Sequence, residues 1–133
     1  MSGAAPPERG ELPKRVLVVD DLHDNADTLA MLLRLHGHEV QTAYDGEEAV
    51  NRAGEFRPDV ILLDLGMPRM GGDVACRIIR EQPWGKAIRI IAVTGWGQES
   101  DRRRTEEAGF DDHLVKPVDP NMLVALLAIT RTP

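Results

Sequence analysis

The sequence lacks most features that mark secreted, membrane or nucleic-acid-binding proteins. Cys76 is its one cysteine, which excludes an intramolecular disulfide and a metal site built on cysteines. No apolar run approaches the length of a membrane span, and the N-terminus has no apolar signal core. Acidic residues outnumber basic ones by 22 to 16, and the net charge of -6 argues against a general nucleic-acid binder. We therefore expect a cytoplasmic protein that neither inserts into a membrane nor binds nucleic acid.

The 133 residues are enough for one domain with a substantial core. Residues 1–13 are rich in Pro, Gly and Ala and show no hydrophobic periodicity. We interpret them as a disordered leader or the remnant of a linker. The domain itself is assigned to residues 14–131.

One stretch, residues 60–68, organises the rest of the chain. Four apolar residues lead into a single carboxylate, Asp64, and Gly66 and Pro68 then break the structure. An apolar run without alternation indicates a strand covered on both faces, as in a parallel sheet. Ligands and reacting groups gather where the strands of such sheets end, so Asp64 is the first candidate for chemistry.

The remaining chain alternates between strand and helix patterns. Buried strands are predicted over residues 16–19, 60–64, 88–93 and 113–115, and a half-exposed edge strand over 39–44. Helices are predicted over residues 24–36, 45–54, 72–81, 98–107 and 119–129. Because a helix follows each strand, right-handed crossovers favour a parallel sheet with helices on both faces.

Local signals predict how these helices begin, end and pack. Asp45 and Glu48 form a capping-box pattern, and Asp119 before a proline fits a helix start. Gly37 and Gly54 are expected to end helices. The residues expected to face the core from the second and third helices are Ala49, Val50, Ala53, Val74, Ala75, Ile78 and Ile79.

Polar side chains end four of the strands at the same edge of the predicted sheet: Asp20 and Asp21, Asp64, Thr94 and Lys116. Three converging carboxylates repel one another, and a hard divalent cation such as Mg²⁺ offsets that repulsion. Lys116 adds a positive charge suited to a phosphoryl oxygen, and the Thr94 hydroxyl can donate to another oxygen of the same group. Asp64 can then act as the nucleophile that forms an aspartyl phosphate.

At these residues the chain resembles the receiver domains of two-component response regulators. The matching pieces are V-V-D-D at 18–21, L-D-L-G-M-P at 63–68, T-G at 94–95 and K-P at 116–117. Their order and spacing also match. The resemblance implies a flavodoxin-like, doubly wound sheet of five parallel strands in the order 2-1-3-4-5, with five helices. The wording D-L-G-M-P-R-M-G-G and T-G-W-G-Q looks most like receivers attached to hybrid sensor kinases.

The resemblance also implies the partners and the metal of the site. Phosphate would pass to Asp64 from the phosphohistidine of a sensor histidine kinase or a histidine phosphotransfer protein. Mg²⁺, or Mn²⁺, would be held by Asp21, Asp64 and the main-chain carbonyl of Gly66, with Asp20 assisting largely through water.

Further residues are implied as a switch that reads the phosphoryl group: Thr94, Gly95, Lys116 and Pro117. A cis peptide before Pro117 would place Lys116 over the site. Family members mostly carry Tyr or Phe three positions before that lysine, and the ring swings inward as Thr moves. Here the position is His113, so the aromatic switch does not carry over. We expect His113 at a passive surface position, with a switching role as the alternative.

Two positions that tune phosphoryl lifetime in the family are Gly66 and Trp96, two residues after Asp64 and Thr94. We hypothesise that the Trp96 ring partly shields the phosphoryl group from water. The alternative is an exposed indole used in partner contacts.

Two surface segments carry expectations of their own. Residues 102–104 are three arginines surrounded by acidic residues, which we interpret as a solvated helix face rather than a nucleic-acid patch. Residues 122–129 leave almost no polar face on the last helix, more than a helix covering one side of a sheet needs. The surplus predicts a partner surface on the fourth and fifth helices, either for a homodimer or for another domain. The alternative is a helix whose Ala and Val are tolerated outside.

The sequence therefore predicts a phosphorylated signalling switch that is not an enzyme, although it assists its own phosphotransfer and dephosphorylation. Two other functions stay open. Phosphatases of the haloacid dehalogenase type use a second Asp two residues after the nucleophile, where this chain has Gly66. A degenerate receiver would only bind partners. Whether the domain stands alone or belongs to a hybrid kinase is left open by the sequence.

Overall fold

The computed structural model describes residues 14–95 and 99–128 and contains a five-stranded parallel sheet with the strand order 2-1-3-4-5. The strands are β1 (Arg15–Val19), β2 (Glu39–Ala43), β3 (Val60–Asp64), β4 (Arg89–Thr94) and β5 (Asp112–Val115). The helices are α1 (His23–Leu35), α2 (Gly46–Phe56), α3 (Gly72–Glu81), α4 (Glu99–Ala108) and α5 (Pro120–Ala128). A 3-10 turn, which the sequence reasoning did not predict, spans Pro83–Gly85. The predicted fold class and strand order are confirmed.

Several predictions fall outside the described residues: the leader at 1–13, the role of Trp96, the start of the fourth helix at Gln98, and the end of the last helix and of the domain at 129–131. Among the described helices, none combines the length and the apolar character that a membrane crossing requires.

The two faces of the sheet carry separate hydrophobic clusters. Every residue of β3 is buried, because helices cover both of its faces. On one face, Leu17, Ile61 and Ile90 pack with α2, α3 and Ala108 of α4. On the other face, Val16, Leu62 and Ile91 pack with α1 and α5. This layering holds the strand ends at one edge of the sheet, where the polar residues meet.

The end of α1 and the start of α2 were predicted well by local signals. Gly37, at φ +91°, ends α1 by donating to the carbonyl of Arg34 at 2.9 Å. Asp45 caps α2 by accepting from the Glu48 N–H at 2.7 Å. The capping box is incomplete, however, because the Glu48 carboxylate accepts from the N–H of Tyr44 rather than that of Asp45.

The prediction that Gly54 ends α2 is wrong. The helix continues to Phe56, whose ring is buried in the core, and ends where Arg57 adopts a left-handed conformation with φ +53°. Gly54 has a packing role instead, because a Cβ there would lie 3.2 Å from the ring of Trp84. The burial of one aromatic side chain outweighs the low helix propensity of one glycine.

The predicted inner face of α3 is partly wrong. Val74 is 42% exposed and Ile78 is only half-buried, whereas the buried positions are Gly72, Ala75, Cys76 and Ile79. Burial raises the pKa of the Cys76 thiol to about 12, which is consistent with a packing role rather than a redox role.

One side chain, Arg80 of α3, ties together the turns at the opposite edge of the sheet from the polar residues. Its guanidinium donates to the carbonyls of Gly85 at 2.8 Å, Ile88 at 2.6 Å and Gly109 at 2.9 Å. It also forms a 2.6 Å ion pair with Asp111. The turn before β4 and the turn between α4 and β5 are therefore held by a single residue.

Candidate functional site

Asp64 closes β3 and is only 4% exposed. Its Oδ1 accepts a hydrogen bond from the Gly66 N–H at 2.9 Å, and its Oδ2 lies 3.1 Å from Lys116 Nζ. Helix α3 begins directly behind it, since a Cβ on Gly72 would collide with the main-chain oxygen of Asp64. The position of the carboxylate is thus set by the strand, the following turn and the start of α3.

Two further carboxylates approach Asp64 from the loop after β1. One oxygen each from Asp20, Asp21 and Asp64 lie within 4.8 Å of one another. This set of oxygen donors fits a hard divalent cation. Burial, followed by the charge of Asp64, raises the pKa of Asp20, although the hydrogen bond from the Leu22 N–H opposes the shift. The cluster is electrostatically unfavourable on its own.

Lys116 supplies the opposite charge from the end of β5. Its Nζ lies 3.1 Å from Asp64 Oδ2 and 3.7 Å from Asp20 Oδ2. Partial burial works against the charged amine, but the hydrogen bond to Asp64 and the charges of both carboxylates outweigh it and raise the pKa of Lys116. Its main-chain N–H donates to the carbonyl of Thr94 at 2.7 Å. The peptide between Lys116 and Pro117 is cis, as predicted.

Thr94 closes β4 and is 3% exposed. Together with Asp21, Asp64 and Lys116 it lines a cavity of about 380 Å³, which Gly66 and Gly95 also border. The structure therefore brings together the metal-site and phosphoryl-site candidates that the sequence predicted. A phosphoryl group attached to Asp64 would occupy this cavity.

His113 lies in β5, opposite Ala92 in the register, and is half-buried. Both of its ring nitrogens are buried, so the expected passive surface position is wrong. β5 directs this side chain into the protein. The sequence of this strand has no alternation of polar and apolar residues from which the direction of the side chain could be predicted. Its switching role stays a prediction.

Arg104 of α4 is the residue at this cavity that the sequence reasoning missed. It lines the same cavity as Asp64 and Lys116, and its Nη2 lies 3.5 Å from Asp73 Oδ2 of α3. Arg103 and Arg104 are exposed, as predicted for a solvated face. Helical spacing could have distinguished them, because Arg104 is one turn before the buried Ala108.

The doubly wound sheet defines a flavodoxin-like protein. The carboxylate cluster where its strands end is the type of site that suits a cation. The family model described as the response regulator receiver domain matches residues 16–128. The chain belongs to this family and is a receiver domain of two-component signalling.

Relatives with known sequences differ in how much of their length the chain covers. It is 40% identical to the response regulator PleD of Caulobacter vibrioides over 118 residues, which are 88% of this chain but 26% of PleD. It is 37% identical to the protein PilH of Pseudomonas aeruginosa over 110 residues, covering 83% of this chain and 91% of PilH.

Two solved structures share the fold over nearly the whole of their chains. The chemotaxis response regulator CheY4 of Vibrio cholerae superposes with a TM-score of 0.82 at 33% identity, covering 87% of this chain and 97% of CheY4. The receiver domain of the sensor histidine kinase PA1611 of Pseudomonas aeruginosa gives a TM-score of 0.79 at 34% identity, covering 87% and 95%. The PA1611 structure has a magnesium ion coordinated in its active-site cleft.

Proposed function

We propose that this receiver domain takes a phosphoryl group onto Asp64 from the phosphohistidine of a sensor histidine kinase or a histidine phosphotransfer protein. A carboxylate oxygen of Asp64 forms the new P–O bond while the P–N bond breaks, and the released imidazole keeps the bonding electron pair. The observation that carries the proposal is the surroundings of Asp64: two carboxylates within 4.8 Å and the Lys116 amine at 3.1 Å.

The metal proposed for this site is Mg²⁺, with Mn²⁺ as a substitute. Asp20, Asp21 and Asp64 offer oxygen donors that such an ion prefers, and the Gly66 carbonyl is the proposed main-chain ligand. When bound, the ion would offset the repulsion among the carboxylates and the charge of phosphoryl oxygens. Magnesium in the cleft of the PA1611 receiver supports this assignment.

Lys116, Thr94 and Gly95 are proposed to bind the phosphoryl group and read it. The Lys116 ammonium lies 3.1 Å from the Asp64 carboxylate, where it would meet an oxygen of a phosphoryl group on Asp64. Thr94 lines the same cavity. Phosphorylation adds charge and acceptor oxygens, so Thr94 would be drawn toward the group. Because Thr94 ends β4 and bonds to β5 through Lys116, the surface of α4, β5 and α5 would change with it.

The decisive experiment is incubation of the protein with acetyl phosphate and Mg²⁺, followed by intact-mass analysis. We expect a labile phosphoryl adduct on the wild-type protein and none on Asp64→Asn. Glu107→Gln removes one charge at an exposed position and should keep the adduct. Absence of the adduct while metal binds would contradict the proposal and favour a receiver that only binds partners.

The phosphatase alternative predicts a different result in the same assay. Such an enzyme would turn over small phosphate esters many times, because a second carboxylate would carry the proton. In this chain the position two residues after Asp64 is Gly66, whose main-chain N–H is hydrogen-bonded to Asp64. We therefore propose a switch rather than an enzyme, with a cytoplasmic location.

We further propose that α4, β5 and α5 form a partner surface for a second copy of this chain. Val115 of β5 is 45% exposed and Met122 of α5 is 58% exposed, while Leu123 and Leu127 fill the core. Both residues belong to the consecutive elements β5 and α5, and exposed apolar side chains that cluster mark surfaces for association.

A further inference from the structure

We propose that Arg104 is a second cationic contact for the phosphoryl group, and that it exchanges Asp73 for that group when Asp64 is phosphorylated. This inference rests on the proposed function of Asp64. It assigns Arg104 as the residue that links occupancy of the site to α4.

The position of Arg104 is the first support. Its side chain borders the cavity of about 380 Å³ that Asp21, Asp64 and Thr94 also line. Among the described residues around this cavity, the cationic side chains are those of Lys116 and Arg104. Lys116 approaches the cavity from the end of β5, and Arg104 approaches it from α4.

Asp73, one present partner of Arg104, is held in place but binds it weakly. Asp73 lies in the first turn of α3, and α3 starts at Gly72, which touches the main chain of Asp64. The ion pair spans 3.5 Å, and the Arg104 side chain is 60% exposed. Exposed pairs of this kind contribute little to stability, so the loss of this one contact costs little.

The charge balance of the cavity gives the reason for the exchange. The Lys116 amine is already shared between Asp64 and Asp20. Phosphorylation replaces one carboxylate charge with an acyl phosphate that carries close to two charges and three acceptor oxygens. A guanidinium binds such oxygens through two parallel N–H groups, which a lysine cannot do. Asp73 would then compete with a stronger acceptor on the same side of the site.

The exchange would have a structural consequence for α4. Arg104 now joins α4 to α3 through Asp73, and after phosphorylation it would join α4 to the end of β3. The C-terminal end of α4 stays anchored, because Arg80 holds the carbonyl of Gly109 at 2.9 Å. Because Arg104 lies in the middle of α4, the exchange would shift the helix against α3 while the turn that follows α4 stays held.

The test uses beryllofluoride, a phosphoryl mimic, titrated into the whole protein at saturating Mg²⁺ with calorimetric detection. We expect Arg104→Gln to weaken binding roughly threefold or more. Arg103→Gln, a change of the same charge on the neighbouring exposed residue, should leave affinity unchanged. Arg104→Lys should fall between wild type and Arg104→Gln, because it keeps the charge and loses the paired donors.

A double-mutant cycle tests the exchange itself. Asp73→Asn should tighten beryllofluoride binding, and this gain should disappear in the Arg104→Gln background. Equal affinities of Arg103→Gln and Arg104→Gln, or a gain from Asp73→Asn that persists without Arg104, would overturn the inference. If wild type itself bound no beryllofluoride and formed no adduct with acetyl phosphate, the failure would lie with the proposed function of Asp64.

Discussion

At the scale of single residues, the charged form of the Asp20 carboxylate is unfavourable in the folded protein. Its pKa is raised, chiefly by burial and then by the charge of Asp64. A carboxyl group with a raised folded-state pKa stabilises the fold fully below its unfolded value of 3.8, and this contribution is lost as the pH rises through the folded value. The charged form of Asp20 therefore opposes folding more than the neutral form does, and a bound cation would offset that cost.

We predict that Asp20→Asn raises the free energy of unfolding by roughly 0.5–2 kcal/mol at neutral pH in the presence of a chelator. The amide oxygen can still accept from Leu22, so the loop keeps its hydrogen bond. Urea unfolding with and without Mg²⁺ measures both effects, since the variant should gain less stability from the metal. Glu107→Gln is the control for removing one charge elsewhere. A variant that is less stable than wild type under chelation would contradict the prediction.

The convergence of the site residues was predictable because each of them follows an apolar run. Asp64, Thr94 and Lys116 need only the parallel order of their strands to meet. Arg104 was not predictable in this way, since its reach depends on how α4 is rotated and on a side chain that spans the gap to Asp73. The burial of the His113 ring nitrogens was misjudged because β5 has only four residues, too few for a clear alternation.

At the scale of secondary-structure elements, the single side chain of Arg80 supplies hydrogen-bond donors to main-chain carbonyls in separate turns. Gly85, Ile88 and Gly109 each direct a carbonyl oxygen to its guanidinium. The removal of these carbonyl oxygens from water is compensated by charge-assisted hydrogen bonds from Arg80.

We predict that Arg80→Ala lowers the free energy of unfolding by about 2–4 kcal/mol, because it leaves several carbonyls without their donor. Arg80→Lys should recover little, since one ammonium cannot reach the whole set. Arg77→Ala is the matched control, an exposed arginine on the same helix. Chemical unfolding of the three variants measures the effect. Equal losses for Arg77→Ala and Arg80→Ala would show that the hydrogen bonds at this edge do not matter.

The boundaries of elements show where local reasoning ends. Gly37 was predicted correctly because a left-handed conformation is a local property of the chain. Gly54 and Val74 were misjudged because tertiary contacts decide them. The core holds Phe56 within α2, and four other residues take the inner face of α3. Propensity is a weak prior wherever a large side chain has a core to enter.

At the scale of the whole molecule, the exposed apolar residues of β5 and α5 predict self-association. In sedimentation velocity, we expect beryllofluoride and Mg²⁺ to shift the protein toward a dimer, because we propose that a phosphoryl mimic at Asp64 changes the surface of α4, β5 and α5. Met122→Lys should weaken the dimer about tenfold or more. Met31→Lys, on α1, is the control, since both methionines are 58% exposed. A strict monomer in both states would contradict the prediction.

The contact between Lys116 and Asp64 joins residues that are 52 positions apart in the chain. During synthesis, the three carboxylates leave the ribosome long before the lysine that balances them. In a chain that stopped before β5, the three carboxylates would repel one another, because β5 and the Lys116 ammonium that complete the cavity would both be absent. Under the proposed function, uptake of phosphate would therefore require that synthesis has passed β5, so a chain that stopped earlier would not accept the phosphoryl group.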